Sequence, residues 1–138
     1  MLQKNKVSVK SKQAILDTSA VIALLKRESG YKLLEDIIAS SSISSVNLSE
    51  FVSVLTRANI PAHEIDEIIT DIIPEIIPFS EDIAILAGKL ISYTKEYGLS
   101  LGDRACIATG IYYDITIYTS DKIWAGLKIK NANIKLIR

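Results

Sequence analysis

Apolar residues in this chain alternate between two patterns. Short aliphatic or β-branched runs, typical of strands, are separated by longer stretches in which apolar residues recur every three or four positions, as on one face of a helix. Ala14-Ile-Leu-Asp17 is the first short run, and Thr18 to Arg27 continues as an amphipathic helix that Ser29-Gly30 breaks. Tyr31 to Ala39 predicts a second helix with Leu33, Leu34, Ile37 and Ile38 on its inner stripe. A serine cluster leads into a strand at Ile43 to Val46, and Asn47-Leu-Ser-Glu50 opens a helix to about Ala58. Pro61 suits the first turn of the next helix, Ala62 to about Ile73. Glu75 to Phe79, with Pro74 and Pro78, reads as an edge strand, because proline cannot serve a central ladder.

Ser80-Glu-Asp starts the longest predicted helix, to about Tyr97, with Ile83, Ala84, Ala87, Leu90 and Ile91 inward and Gly98 as its stop. Ser100-Leu-Gly-Asp103 opens another, whose Ala105, Ile107, Ala108 and Ile111 form one buried stripe. Ile115 to Thr119 predicts a strand buried on both faces. A short turn around Trp124 and a strand from Ile134 to Ile137 complete the chain. Strands alternating with one or two helices imply an α/β fold with a mostly parallel sheet covered on both faces.

Composition narrows the class. At 138 residues, with 49% hydrophobic and 23% charged positions, the chain has the size and make-up of one soluble domain, assigned to residues 13–138. Met1 to Lys12 has no periodicity and reads as a disordered or extended N-terminal arm. Its lysines are not followed by the apolar segment of a secretory signal, and no apolar run approaches the ~20 residues of a membrane span. The single cysteine, Cys106, excludes an internal disulfide framework and fits a reducing compartment, so the expected location is cytoplasmic.

The formal net charge of zero hides an uneven distribution. Lys4, Lys6, Lys10 and Lys12 lie in the arm, leaving 12 bases against 16 acids from Gln13 onward. Glu64 to Asp82 holds seven acids and no Lys or Arg, whereas Lys122 to Arg138 holds five bases and no acid. The chain lacks the general basicity of a nonspecific nucleic-acid binder.

Four acids stand where strand or loop passes into helix: Asp17, Glu50, Asp103 and Asp121. Each alone is explained as a helix cap, Ser100-x-x-Asp103 as a capping box and Asn47-x-x-Glu50 as a weaker one. Together they suggest more. Three of the four follow the strands least suited to sheet edges, and Asp103 begins the helix leading into the last of these. The carboxyl ends of such strands share one rim, where ligands collect. Four carboxylates within ~5–8 Å repel one another and call for cations between them. Mg2+ or Mn2+ suits an all-oxygen donor set, whereas one His and one Cys far apart do not make a zinc site. Glu81 and Asp82 also start a helix, but after an edge strand, and are left outside the site. Such a centre fits phosphoryl chemistry without a histidine base. Asp17-Thr-Ser also resembles the start of aspartyl-phosphate phosphatases, yet Ser19 stands where those enzymes need a second Asp.

Read together, LDTSAVIALL, VNLSEFVSVL, LSLGDRACIATG and IYTSDKIW resemble a PIN domain, and within that family the VapC-like toxins of toxin–antitoxin pairs. The resemblance spans about Ala14 to Ile137. It implies a PIN-like three-layer fold with a five-stranded, mostly parallel sheet, Mg2+- or Mn2+-dependent endoribonuclease activity, a homodimer, and inhibition by a small antitoxin protein. It further implies that Asp17, Glu50, Asp103 and Asp121 hold the metal and carry catalysis, with Ser19 and Thr119 orienting carboxylates or water. A PIN nuclease serving RNA processing, and a non-catalytic α/β interaction module, are the alternative readings.

Arg104 and Lys122 each neighbour a site acid and are candidate RNA-phosphate contacts, with a solvated charge as the plain alternative. Lys26 and Arg27 read as partners of a helix dipole, Cys106 as a small buried residue, and His63 as a surface residue. Tyr112, Tyr113 and Trp124 offer faces for stacking on bases, but aromatic packing is their default reading.

Overall fold

A computed structural model describes residues 13–73 and 75–138. Among these residues five strands form the sheet: β1 (Ala14–Leu16), β2 (Ser41–Ser44), β3 (Ile76–Ile77), β4 (Thr116–Thr119) and β5 (Ile134–Leu136). Seven helices, again among the described residues, connect them: α1 (Thr18–Lys26), α2 (Tyr31–Ile37), α3 (Ser45–Arg57), α4 (Ala62–Ile72), α5 (Glu81–Lys89), α6 (Ile91–Thr94) and α7 (Leu101–Tyr113). Short 3-10 turns follow α2, α6 and β4. The strand order is β3-β2-β1-β4-β5 and every pairing is parallel. β2, β1 and β4 are therefore interior and the proline-flanked β3 is an edge, as the sequence indicates. The N-terminal arm lies outside the described residues. No helix among the described residues is long and apolar enough to cross a membrane.

Side chains along a strand alternate between faces, and this alternation divides the core in two. Ile15 and its register partner Ile117 join Ile83, Ala87, Ile107 and Trp124 beneath α5 and α7. Leu16 and its partner Ile43 join Ala20, Leu34 and Phe51 beneath α1, α2 and α3. The result is helix, sheet, helix: the expected three-layer α/β fold.

Four local expectations need correction. The second strand runs over Ser41–Ser44, two residues before the expected Ile43–Val46. Buried hydroxyls make this workable: Ser41 Oγ donates to Ile37 O at 2.8 Å and Ser42 Oγ to Ala14 O at 2.9 Å, while Ser44 Oγ accepts from Val46 N and caps α3. The single long helix expected from Ser80 to Tyr97 is broken at Leu90, and Ile91, expected inward, is 44% exposed. Past the break Thr94 turns inward instead and satisfies its hydroxyl on Leu90 O at 3.0 Å. Helix α7 is buried on nearly all sides rather than along one stripe, because it packs against α5, α3 and the sheet together. Strand β4, expected to be buried on both faces, is fully covered on the Ile117–Thr119 face and half-covered on the other.

Candidate active site

Parallel strands deliver their carboxyl ends to one rim, and the acids are built from there. Asp17 follows β1 and caps α1, its carboxylate accepting from Ala20 N at 2.9 Å. It is only 3% exposed. Ser19 Oγ donates to it at 2.8 Å and Thr119 Oγ1, from the end of β4, at 2.7 Å. These two hydroxyls also accept from the chain after β4, Ser19 Oγ from Ser120 N at 3.1 Å and Thr119 Oγ1 from Asp121 N at 3.0 Å. They thereby tie Asp17 to the segment that carries Asp121. Asp121 caps the 3-10 turn Lys122–Gly126 by accepting from Ile123 N at 3.0 Å. Asp103 forms a complete capping box with Ser100 at the start of α7.

Glu50 differs from its expected placement. Because α3 starts at Ser45, Glu50 lies in the second turn of the helix and caps nothing. It is held from the side: Thr18 Oγ1 donates to Oε1 at 2.8 Å and Asn47 Nδ2 donates to the same oxygen at 3.0 Å. Asn47 is buried and also donates to Gly102 O at 3.1 Å, linking α3 to the first turn of α7. The Glu50 carboxylate rests directly on Gly102, where any Cβ would overlap it. Thr18, Asn47 and Gly102 thus hold Glu50 in place, contacts that the sequence reading passed over or took for caps. The available signal was the Asn47–Glu50 spacing of three, which places both on one helix face.

All four acids line one cleft of about 480 Å3. Their proximity is visible electrostatically. Burial pushes the Asp17 carboxyl up from 3.8 to about 6, against the lowering effect of hydrogen bonds from Thr119, Ala20 and Ser19, and the charge on Asp103 adds to the rise. Asp103 is also raised, first by burial, against bonds from Ser100, and further by the charges on Glu50 and Asp121. Among the described residues no Lys or Arg forms an ion pair with any of the four. The cleft therefore carries surplus negative charge on oxygen donors alone, the chemistry that suits Mg2+ or Mn2+. Among the described residues no three carboxylates already stand at direct-ligand separations. The fit consequently rests on donor chemistry and uncompensated charge, as with ions that keep several waters.

Of the basic candidates, Lys122 is exposed beside Asp121. Arg104 instead sends Nη1 to Ala87 O at 3.1 Å near the end of α5, and it does not line the cleft. The wall contains another cation that the sequence reading missed, Arg57 of α3. Trp124 and Tyr113 are core residues, with Tyr112 edge-on to Tyr113 at 5.0 Å between ring centroids. Cys106 is buried.

A family model described as the PIN domain matches residues 14–130. Comparison with curated protein sequences gave no match. Among solved structures, the chain is similar to a toxin–antitoxin complex from Klebsiella pneumoniae, at 24% identity and TM-score 0.70, over 91% of this chain and 98% of that one. It is also similar to VapBC2 from Rickettsia felis bound to a promoter DNA fragment, at 20% identity and TM-score 0.69, over 89% and 97%. DNA-bound VapBC from Salmonella typhimurium aligns at 14% identity and TM-score 0.73, over 92% and 99%.

Proposed function

The chain belongs to the PIN-domain family, and from that premise we propose that it is a Mg2+- or Mn2+-dependent endoribonuclease, the toxin of a toxin–antitoxin pair, working in the cytoplasm. The observation that carries this reading is the meeting of Asp17, Glu50, Asp103 and Asp121 in one cleft with, among the described residues, no protein cation paired to them. The similar complexes from Klebsiella, Rickettsia and Salmonella support the pairing with an antitoxin. RNA is the proposed substrate, and a homodimer the proposed assembly.

The four carboxylates would hold the ion, which when bound supplies an activated water and stabilises charge on the phosphate. Asp17 accepts from three separate donors, which preorganises its carboxylate. Ser19 and Thr119 fix its orientation, and Asn47 with Thr18 fixes that of Glu50. Lys122, exposed next to Asp121, is placed to meet an RNA phosphate at the rim. Arg104 is set aside for such a contact, since it does not line the cleft and its Nη1 is engaged by Ala87 O. An antitoxin that inserts an Arg or Lys among the acids would supply the missing countercharge and compete with the ion.

One observation favours a second reading: Asp17, Asp103 and Asp121 do cap helices or turns. A non-catalytic module needs no more than that. Purified protein incubated with RNA and Mn2+ separates the two. Cleavage abolished by EDTA and by Asp17→Asn or Asp103→Asn is the expected result, and cleavage by those variants at the wild-type rate rejects the nuclease. Growth arrest on expression, relieved by co-expressing a small neighbouring gene, distinguishes a toxin from an RNA-processing enzyme.

A further inference from the structure

The cleft is not acidic throughout. Its second wall is α3, which beyond Glu50 carries Ser53 and Arg57 at spacings of three and seven, one face of a helix. The cleft is also lined by the apolar side chains of Ile22 and Val54, the latter four residues after Glu50 and three before Arg57 on α3. At 1.5 Å rise per residue, Arg57 stands about 10 Å along the helix from Glu50. Among the described residues it forms no ion pair, although four carboxylates line the same cleft. Its position in the last turn of α3 favours a positive charge through the helix dipole, and its side chain is exposed.

We propose that Arg57 binds an RNA phosphate one nucleotide away from the one cut, with the intervening sugar or base resting over Ile22 and Val54. The inference rests on the nuclease reading and extends it, by giving the strand a direction across the cleft from the acids along α3. Two ends of opposite charge separated by an apolar floor match a strand whose phosphates alternate with less polar groups. A guanidinium matches phosphate geometry better than an ammonium does, so charge alone is not sufficient at this position.

The test is binding of a fluorescein-labelled oligouridylate to the full chain carrying Asp103→Asn, which is expected to hold RNA without cutting it. Anisotropy titrations are run across a series of KCl concentrations. Each phosphate contact to a single strand contributes about 0.7 to the slope of log K against log salt. Adding Arg57→Ala is expected to lower that slope by about 0.7 and to weaken binding about tenfold at low salt. Arg57→Lys keeps the slope and recovers only part of the affinity. Otherwise wild-type Arg57→Ala raises KM for RNA several-fold while the thermal shift with Mn2+ is unchanged, which shows the acidic end intact. Equal slope and affinity in the Arg57→Ala protein overturn the inference while leaving the nuclease reading in place. Loss of binding to polyglutamate with RNA binding unchanged reassigns Arg57 to a protein contact and also overturns it. A wild-type chain that neither binds nor cuts RNA overturns both.

Discussion

Asp17 should make the protein less stable as the pH rises. Its carboxyl is buried, and its folded-state pKa lies near 6 against an ordinary 3.8. Between those values the folded chain holds a proton that the unfolded chain has released. Stability follows the proton difference, so unfolding free energy falls as pH rises through this window and is flat above it. At about 1.4 kcal/mol per pH unit, the loss is about 3 kcal/mol. Asp17→Asn keeps the size of the side chain and an oxygen for Ala20 N, but cannot ionise. Urea unfolding of both proteins in EDTA, from about pH 4 to about pH 7.5, isolates the group, since the other titrations are common to both. The stability of the Asp17→Asn protein relative to wild type should grow by about 2.5 kcal/mol across the range, or about 10 °C in Tm. Mn2+ should restore much of the wild-type deficit near neutral pH and give the variant less. A stability difference that stays constant with pH would refute the claim that Asp17 carries the electrostatic cost of the site.

Two further substitutions probe how the carboxylates are held, and a third in the core serves as a control. Gly102→Ala places a methyl group in the space of the Glu50 carboxylate, and a displaced Glu50 should lower RNA cleavage about a hundredfold; Gly110→Ala overlaps Ile117 in the core instead, so urea titration should show about 1–3 kcal/mol lost without a comparable loss of activity per folded molecule. Thr119→Val removes a donor that lowers the Asp17 pKa, and the acid limb of the pH–rate profile should move to higher pH.

Much of this architecture is legible in the sequence because local and global signals agree. The dense apolar runs at Ala14 and Ile115 are interior strands, proline marks β3 as an edge, and Asp17, Asp103 and Asp121 fall where strands end or helices begin. The parts that are not legible depend on partners distant in sequence. Ser41 and Ser42 look like a loop until Ile37 O and Ala14 O are available to their hydroxyls. No proline marks the break at Leu90; what decides it is the burial of Thr94 in place of Ile91. Asn47 reads as a weak cap because its partner Gly102 is 55 residues away. Arg57 gains meaning only once Glu50 is known to face the cleft, since it is then two turns further along the same face.

Capping and chemistry are not competing uses of these acids. A carboxylate has about four acceptor positions, and a cap occupies one or two of them. The cap fixes the position of the group at little cost, and the remaining lone pairs face whatever the fold assembles opposite. Asp17 and Asp103 differ from simple exposed caps: backbone and hydroxyl donors pull their pKa values down, yet both end above the ordinary value. Isolated caps would end below it, because hydrogen bonds to the charged form favour ionisation. The excess comes from burial and from neighbouring acids, neither of which a cap requires. Helix capping therefore explains where the carboxylates stand, and the repulsion between them is what the proposed cation would relieve.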